Sequence, residues 1–415
     1  MSSAITDRRY DIVVAGGGMI GTSLALALAP LGLRIAVVEA VERSASEQPS
    51  FDDRSTALSR STQRMFEAMG LWPEIVAAAA PVASIHISDR GRFGFSHIVA
   101  DEQGVEALGY VVINRVLGSV LQRTLREVAD VDVICPARIV DVEIQPDQAT
   151  ARVELEDGEK LSLHCSLLVA ADGANSSVRS ELGIAAQTAR YEQRAVIGNL
   201  LPEKPLANRA FERFTEQGPL ALLPLADERS AFVWTVSEDE AERVLALGDA
   251  EFLKELQEQF GYRLGLLSKV GKRVAYPLQL SKALRLTAER SVLIGNAAHG
   301  LHPVAAQGFN LGMRDVAALC DCIADAQNAG SDFDPGDAQL LERYADWRSA
   351  DQKKLVGFTD GLVKLFASSR RPLRALRNIG MLGFDLIPGV RSLFAKHTMG
   401  LAGRLPRLSR GMPLK

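Results

Sequence analysis

The chain has 415 residues, 47% of them hydrophobic and 24% charged, which is enough for two or three folding units with a real core. This composition is ordinary for a globular protein, and a net charge of −4 argues against general nucleic-acid binding. Cys135, Cys165, Cys320 and Cys322 show neither a CxxC nor paired zinc spacing, so they predict free thiols in a reducing compartment.

Residues 10–15 (YDIVVA) read as a buried parallel strand, residues 19–31 as a helix ended by Gly32, and residues 34–39 (RIAVVE) as a second buried strand. Together they form one βαβ unit. A helix is expected over 56–70, antiparallel strands over 82–112, and a helix over 115–128 with Leu117, Leu121 and Leu125 on one face. Strands follow around 131–155, with Asp157-Gly158 as a hairpin turn. Another buried strand covers 167–171, a sheet covers 195–236, and a helix covers 250–260. The run VLIG at 292–295 is again a buried strand, and residues 311–326 a helix. Residues 338–400 are mostly helical, broken at Pro372 and Pro388. The β-rich insertions into the α/β pattern predict a nucleotide domain interleaved with a second domain. No apolar run reaches the ~20 residues needed to span a bilayer. The N-terminus runs into a strand without a signal-peptide pattern, which predicts a cytoplasmic protein.

Three stretches carry chemistry. Gly16-Gly17-Gly18-Met19-Ile20-Gly21 fits GxGxxG between a strand and a helix, and Glu39 ends the next strand about 20 residues on. Gly16 makes the turn, Gly18 admits a pyrophosphate, and Gly21 lets helix and strand pack closely. The helix N-terminus favours phosphate, and Glu39 is placed for ribose hydroxyls. This reading leaves NAD and FAD both open. Residues 167–179 (LLVAADGANSSVR) bring Asp172 to a strand end, with Ser176 as a helix N-cap. Asn296 takes the equivalent place after 292–295.

In this order and spacing, GxGxxG with its acid, ADGANSSVR and GNAAHGLHPVAAQGFNLGMRD resemble the fingerprints of class A flavoprotein monooxygenases. The resemblance covers about 330 residues. Its most similar branch hydroxylates the ring in ubiquinone biosynthesis, and AFERFTEQGPLALLPL (210–225) is similar to the polyprenyl-methoxyphenol hydroxylase type. The resemblance implies the para-hydroxybenzoate hydroxylase fold. Its FAD-binding domain would cover 1–80, 111–185 and 283–335, its β-sheet substrate domain 81–110 and 186–282, and a C-terminal helical tail 336–415.

It further implies FAD at the first loop, NAD(P)H as electron donor, O2, and a lipophilic phenol as substrate. Arg54 (in DDRSTAL) and Arg115 (in INRVLGSVL) are expected at the pyrophosphate or ribose, and Asp172 near the pyrophosphate. Pro303 is expected to stiffen a loop passing the flavin ring, with Gln307, Gly308, Phe309 and Asn310 placing a helix start at the flavin pyrimidine. Asn296 departs from the usual Asp, but it keeps an acceptor oxygen for a ribityl hydroxyl. No metal site is expected, since His299 and His302 share a loop with Pro303. The residue that takes the phenol proton is not identified. Tyr191, Arg213 and Tyr276 are candidates.

Two other readings stay open: a flavoprotein reductase of prenyl double bonds, and an FAD-bound subunit without catalysis. From Lys353 onward, 13 basic residues face only Asp360 and Asp385. That basic tail, with Arg370, Arg371, Arg374 and Arg377, predicts contact with an anionic inner-membrane surface or with an acidic subunit of a ubiquinone-synthesis assembly.

Overall fold

The structure, a computed structural model, describes residues 6–42, 54–90, 95–300, 307–330, 333–367 and 388–414. A strand inside a parallel sheet is covered on both faces, so it needs apolar side chains on both. The second half of Thr6–Ala15 meets this, with Ile12, Val13 and Val14 fully buried. It pairs in parallel with Ile35–Val38 on one side and with Lys160–Ala170 on the other. The parallel run continues outward to Val131–Ile134 and to Ser291–Leu293. The helix Met19–Leu28 links the first two strands and is buried from Gly21 to Leu28.

Two sequence expectations shift. The strand at 167–171 is longer, running from Lys160 to Ala170, because its first half forms a hairpin with Ala149–Leu155. The turn uses Asp157-Gly158 as expected, with Gly158 at φ 84°. The helix expected over 56–70 is split. Ser55–Ser59 is a strand paired with Gly109–Ile113, and the helix begins only at Arg60. The physical reason is Ser59, whose Oγ accepts from the Thr62 N–H and caps the helix there.

Among the described residues, a second sheet of nine strands is mainly antiparallel. Its order runs from His299–Gly300 through Val274–Ala283, Ala186–Pro202, Ser230–Ser237, Pro219–Pro224, Arg209–Phe214 and Ser84–Asp89 to Phe95–Val99, with Leu267–Val270 beside Ala186–Pro202. The helices Glu238–Ala246 and Asp249–Phe260 pack on one face, around Phe211, Phe232, Trp234 and Phe252. The other face meets the three-stranded unit of Ser55–Ser59, Ala80–Val82 and Gly109–Ile113 through Ala210, Leu223, Ala231, Val82 and Val111.

The C-terminal helix Ala338–Ala367 packs beside Gln307–Ala329. The expected break at Pro372 lies outside the described residues, as do Arg370, Arg371, Arg374 and Arg377. Pro388 opens the helix Pro388–Thr398, a position where its missing N–H is not needed. The far end is tied to the chain. Ala395 and Met399 are buried against Ile98 and Leu108, and Leu408 and Leu414 join the main core. Arg407 reaches Asp325 at 2.5 Å, and the Arg404 guanidinium sits 4.1 Å above the Trp347 ring.

Gly21 marks the closest approach in the βαβ unit. A Cβ there would stand 1.9 Å from the Gly16 carbonyl oxygen. Gly→Ala in a helix normally stabilises by about 1 kcal/mol. Here the sign reverses: Gly21→Ala costs about 3 kcal/mol in urea unfolding. A variant as stable as wild type would refute the close packing.

Candidate active site

Four parallel strands end side by side, and between them they deliver the three fingerprints, the first through two neighbouring strands. In sheet order they are Ser291–Leu293, Lys160–Ala170, Thr6–Ala15 and Ile35–Val38. Just beyond their ends stand Asn296, Asp172, the glycine loop 16–18 and Glu39. Ligands of open α/β sheets bind at this edge, because strand carbonyls and helix N–H groups are left there without ladder partners.

The segments touch. A Cβ on Gly16, which has φ 103°, would lie 2.6 Å from the Ala171 oxygen. Gly295 packs on Ile20, and a Cβ on Gly312 would fall 2.8 Å from the Ile20 Cδ1 and 3.2 Å from the Gly295 Cα. Ser176 caps the helix Ser177–Glu181 as expected, accepting from the Arg179 N–H at 2.9 Å. Arg179 then donates to the Ala297 carbonyl at 2.9 Å and the Ala174 carbonyl at 3.0 Å, stapling the second fingerprint to the third.

The polar groups along the edge fall into two kinds. Glu39 faces the glycine loop, accepting from the Gly17 N–H at 2.7 Å and the Val41 N–H at 2.9 Å. Asp172 accepts from Ser177 and from the Val178 N–H with Oδ2, while its buried Oδ1 has no hydrogen-bond partner among the described residues. Asn296 is exposed at its strand end. Arg54 and Arg115 are brought together by strand pairing, since the Asn114 N–H donates to the Arg54 carbonyl at 2.7 Å. Arg115 is exposed, and the Arg54 guanidinium lies 4.7 Å from the Tyr276 ring centre.

The helix Gln307–Ala329 starts at this cluster. Among the described residues, a Cβ on Gly308 in its first turn would meet nothing within 4 Å. Phe309 is half-buried against the core. Expectation placed the backbone of Asn310 at the ligand; the structure adds a role for its side chain. Its Oδ1 accepts from the Ser59 N–H and the Thr62 hydroxyl, each at 2.8 Å, and its Nδ2 donates to the Ala57 carbonyl. This clamps the helix start onto the 55–68 segment. Gln307 begins the helix, and Pro303 lies outside the described residues. An acceptor without a partner at Asp172 among the described residues, an exposed amide at Asn296, two arginines on adjoining segments and a helix N-terminus fit a dinucleotide with an anionic pyrophosphate.

Beneath the cluster is a buried ion network absent from the sequence reading. Asp315 is fully buried and accepts from the Gly295 N–H at 2.9 Å, His299 Nε2 at 2.6 Å and Arg348 Nε at 2.7 Å. Arg348 also reaches Asp351 at 2.5 Å, which in turn holds Arg314 at 2.8 Å. Burial pushes the Asp315 carboxyl up, but His299 and Arg348 outweigh it and hold the group below its ordinary value of 3.8. Asp315→Asn costs about 3–5 kcal/mol at pH 7, because Arg348 is left buried with a neutral partner. A carboxyl held low in the fold stabilises above its unfolded value and stops doing so as pH falls through the folded one. Urea unfolding should therefore show the gap between wild type and variant narrowing on acidification. A gap that does not vary with pH would contradict a charged Asp315.

Of the candidates for the phenol proton, Tyr276 lies under Arg54, and Tyr191 is half-buried in Ala186–Pro202 beside an irregular register. Arg213 lies against Gly261, next to the end of the helix Asp249–Phe260, on the sheet face away from the three-stranded unit. Sequence reasoning singled out Arg179 at the end of the second fingerprint without giving it a role, and it missed Asp315, although Asp315 closes the third. It also missed Arg348, for which no motif gives a signal.

A family model described as an FAD binding domain matches residues 9–359. The ubiquinone hydroxylase UbiL of Rhodospirillum rubrum is 35% identical over 412 residues, covering 98% of this chain and 94% of that one. The 3-demethoxyubiquinol 3-hydroxylase of Escherichia coli is 30% identical, covering 96% and 100%. The crystal structure of p-nitrophenol 4-monooxygenase PnpA from Pseudomonas putida superposes with a TM-score of 0.78 at 19% identity, covering 96% and 100%. The chain therefore belongs to the class A FAD-dependent monooxygenases, among the hydroxylases of ubiquinone biosynthesis.

Proposed function

We propose that the chain hydroxylates the ring of a lipophilic, prenyl-bearing phenol, using NAD(P)H and O2. The observation that carries this is the inner face of the second sheet, where the half-buried apolar side chains Val233, Ile197 and Val274 share a face with Tyr276, the ring on which Arg54 stacks. Such a face suits a greasy aromatic ring more than a polar metabolite. Relatives named as ubiquinone hydroxylases support the same substrate class.

In this reading residues 1–80, 111–185 and 283–335 hold FAD, and 81–110 and 186–282 hold the phenol. The glycine loop and the helix behind it take the pyrophosphate, Glu39 takes the ribose, and Arg54 and Arg115 neutralise phosphate charge. Asp172 and Asn296 accept from hydroxyls along the ribityl and pyrophosphate region. When bound, FAD supplies the redox chemistry, accepting hydride from NAD(P)H and activating O2. The first turn of Gln307–Ala329 favours negative charge on the flavin ring, and the apolar sheet face excludes water. Among the described residues no helix is long and apolar enough to cross a membrane. The basic tail supports peripheral contact with an anionic membrane that carries the substrate, or with an acidic assembly subunit.

Two measurements test the reading. Asn296→Asp retains FAD, whereas Asn296→Leu leaves a ribityl hydroxyl without a partner and weakens FAD binding by about 1–3 kcal/mol in equilibrium dialysis. Equal affinity in all three proteins would remove Asn296 from the cofactor site. With ¹⁸O2, NADH and a 2-methoxyphenol carrying a short prenyl chain, the product gains one ¹⁸O atom. A reduced prenyl chain without label would instead favour a reductase, and bound FAD without turnover a non-catalytic subunit.

A further inference from the structure

The sheet face just described carries one acid. In the strand Arg209–Phe214, alternation puts Ala210, Glu212 and Phe214 on one face and Phe211 and Arg213 on the other. Ala210 packs with Val82, Val111 and Ala231, so Glu212 points toward the three-stranded unit and the fingerprint side. Phe211 packs against Phe260 on the opposite face, under the helices.

Register then identifies the neighbours of Glu212. It stands opposite Ile87 on one side and Ala221 on the other, and the row continues through Val233, Ile197 and Val274. Cross-strand neighbours in such a row lie about 5 Å apart. All except Ala221 are only half-buried, although they sit on the inner face of a sheet that has a second layer over it. The row is thus only partly covered, with Ile87 at one end packed toward the helix Pro388–Thr398, and Glu212 is its one ionisable member.

No hydrogen bond or ion pair engages the Glu212 carboxylate among the described residues. The other titratable groups that alternation puts on this face are Tyr276 and Lys282 of Val274–Ala283 and Asp89 at the end of Ser84–Asp89, with Arg54 stacked on Tyr276. None of them offsets the loss of water around Glu212, and burial alone pushes its carboxyl up to about 7. An unpartnered carboxylate in an apolar site costs stability, and such groups are characteristic of catalytic acids and bases.

Resting on the proposed phenol hydroxylation, we infer that Glu212 is the catalytic residue that accepts the phenol proton. The phenol O–H bond breaks, its proton forms a new O–H bond on the Glu212 carboxylate, and the electron pair stays on oxygen as phenolate. The ring becomes more electron-rich and more reactive toward the oxygen donor. The neutral acid then returns the proton to the hydroxylated product or to water. A group titrating near the working pH suits both halves of the cycle.

The test uses FAD-loaded wild type, Glu212→Gln and Glu212→Asp, with NADH, O2 and a 2-methoxyphenol carrying a short prenyl chain, from pH 5.5 to 8.5. For wild type, hydroxylated product per flavin rises with pH through a midpoint near 7. Glu212→Gln retains FAD, loses about 100-fold in product formation and loses that limb, with NADH oxidation diverted to hydrogen peroxide. Glu212→Asp keeps the limb at a shifted midpoint. Product formation by Glu212→Gln within twofold of wild type, with the same limb, would overturn the role of Glu212 while leaving the hydroxylase reading intact. A wild type that makes no hydroxylated product would overturn both. Thermal melting checks the burial without turnover. A carboxyl raised in the fold lowers stability as pH climbs through 7, so Glu212→Gln melts at or above wild type at pH 8. A lower melting temperature there would contradict a carboxyl raised in the fold.

Discussion

The carboxylate of Asp315 is the interaction on which the site geometry depends. It is a fully buried anion bonded at once to a backbone N–H, an imidazole and a guanidinium. Each partner belongs to a different piece of chain: the turn at Gly295, the strand His299–Gly300 and the helix Ala338–Ala367. A charge in this position is tolerable only when its lone pairs are satisfied, so its three partners have little freedom to move apart. The turn that presents Asn296 is thereby held in register with the helix that begins at Gln307.

This network also explains why the long C-terminal helix is more than a trailing segment. It carries Arg348 into the core, and Tyr344, also fully buried, donates to the Leu293 carbonyl at the end of the strand leading to Asn296. Residues further on close over the same region, where the Met399 carbonyl accepts from the Ser61 N–H. The cofactor edge of the parallel sheet is thus braced from below by the C-terminal helix and from the side by the 55–68 segment, which Asn310 clamps. A preorganised edge of this kind holds backbone N–H groups where anionic charge is to be bound, with little reorganisation left to occur on binding.

The two sheets divide the labour along lines set by their hydrogen-bonding pattern. The parallel sheet is covered on both faces, so its ligand-binding capacity is confined to the strand ends, where polar groups gather. The second sheet is mainly antiparallel, with the helices Glu238–Ala246 and Asp249–Phe260 on one face and the helix Pro388–Thr398 reaching only the Ile85–Ile87 end of the other. Its other face is only partly covered by the three-stranded unit and the helix Pro388–Thr398, and the half-buried apolar side chains Val233, Ile197 and Val274 lie along it.

Much of this was legible in the residues. The apolar runs at 10–15, 34–39, 167–171 and 292–295 predict buried parallel strands, because only that environment suits side chains apolar on both faces. The glycine spacing at 16–21 predicts a close strand-to-helix crossing, and the 1.9 Å approach at Gly21 is its physical cause. The three fingerprints, read in order, point to the family. What the sequence left undecided are pairings between distant segments. Nothing local distinguishes Ser55–Ser59 as a strand until Gly109–Ile113 lies beside it. No motif marks Arg348, whose partner Asp315 is 33 residues away on another helix. Alternation in FERF separates Glu212 from Arg213, but it does not say which faces the helices and which the cofactor side. Local periodicity determined the elements and the cofactor edge, while the partners of buried charges and the choice of sheet face were decided by the tertiary structure, because electrostatic and packing energies depend on distance in space rather than along the chain.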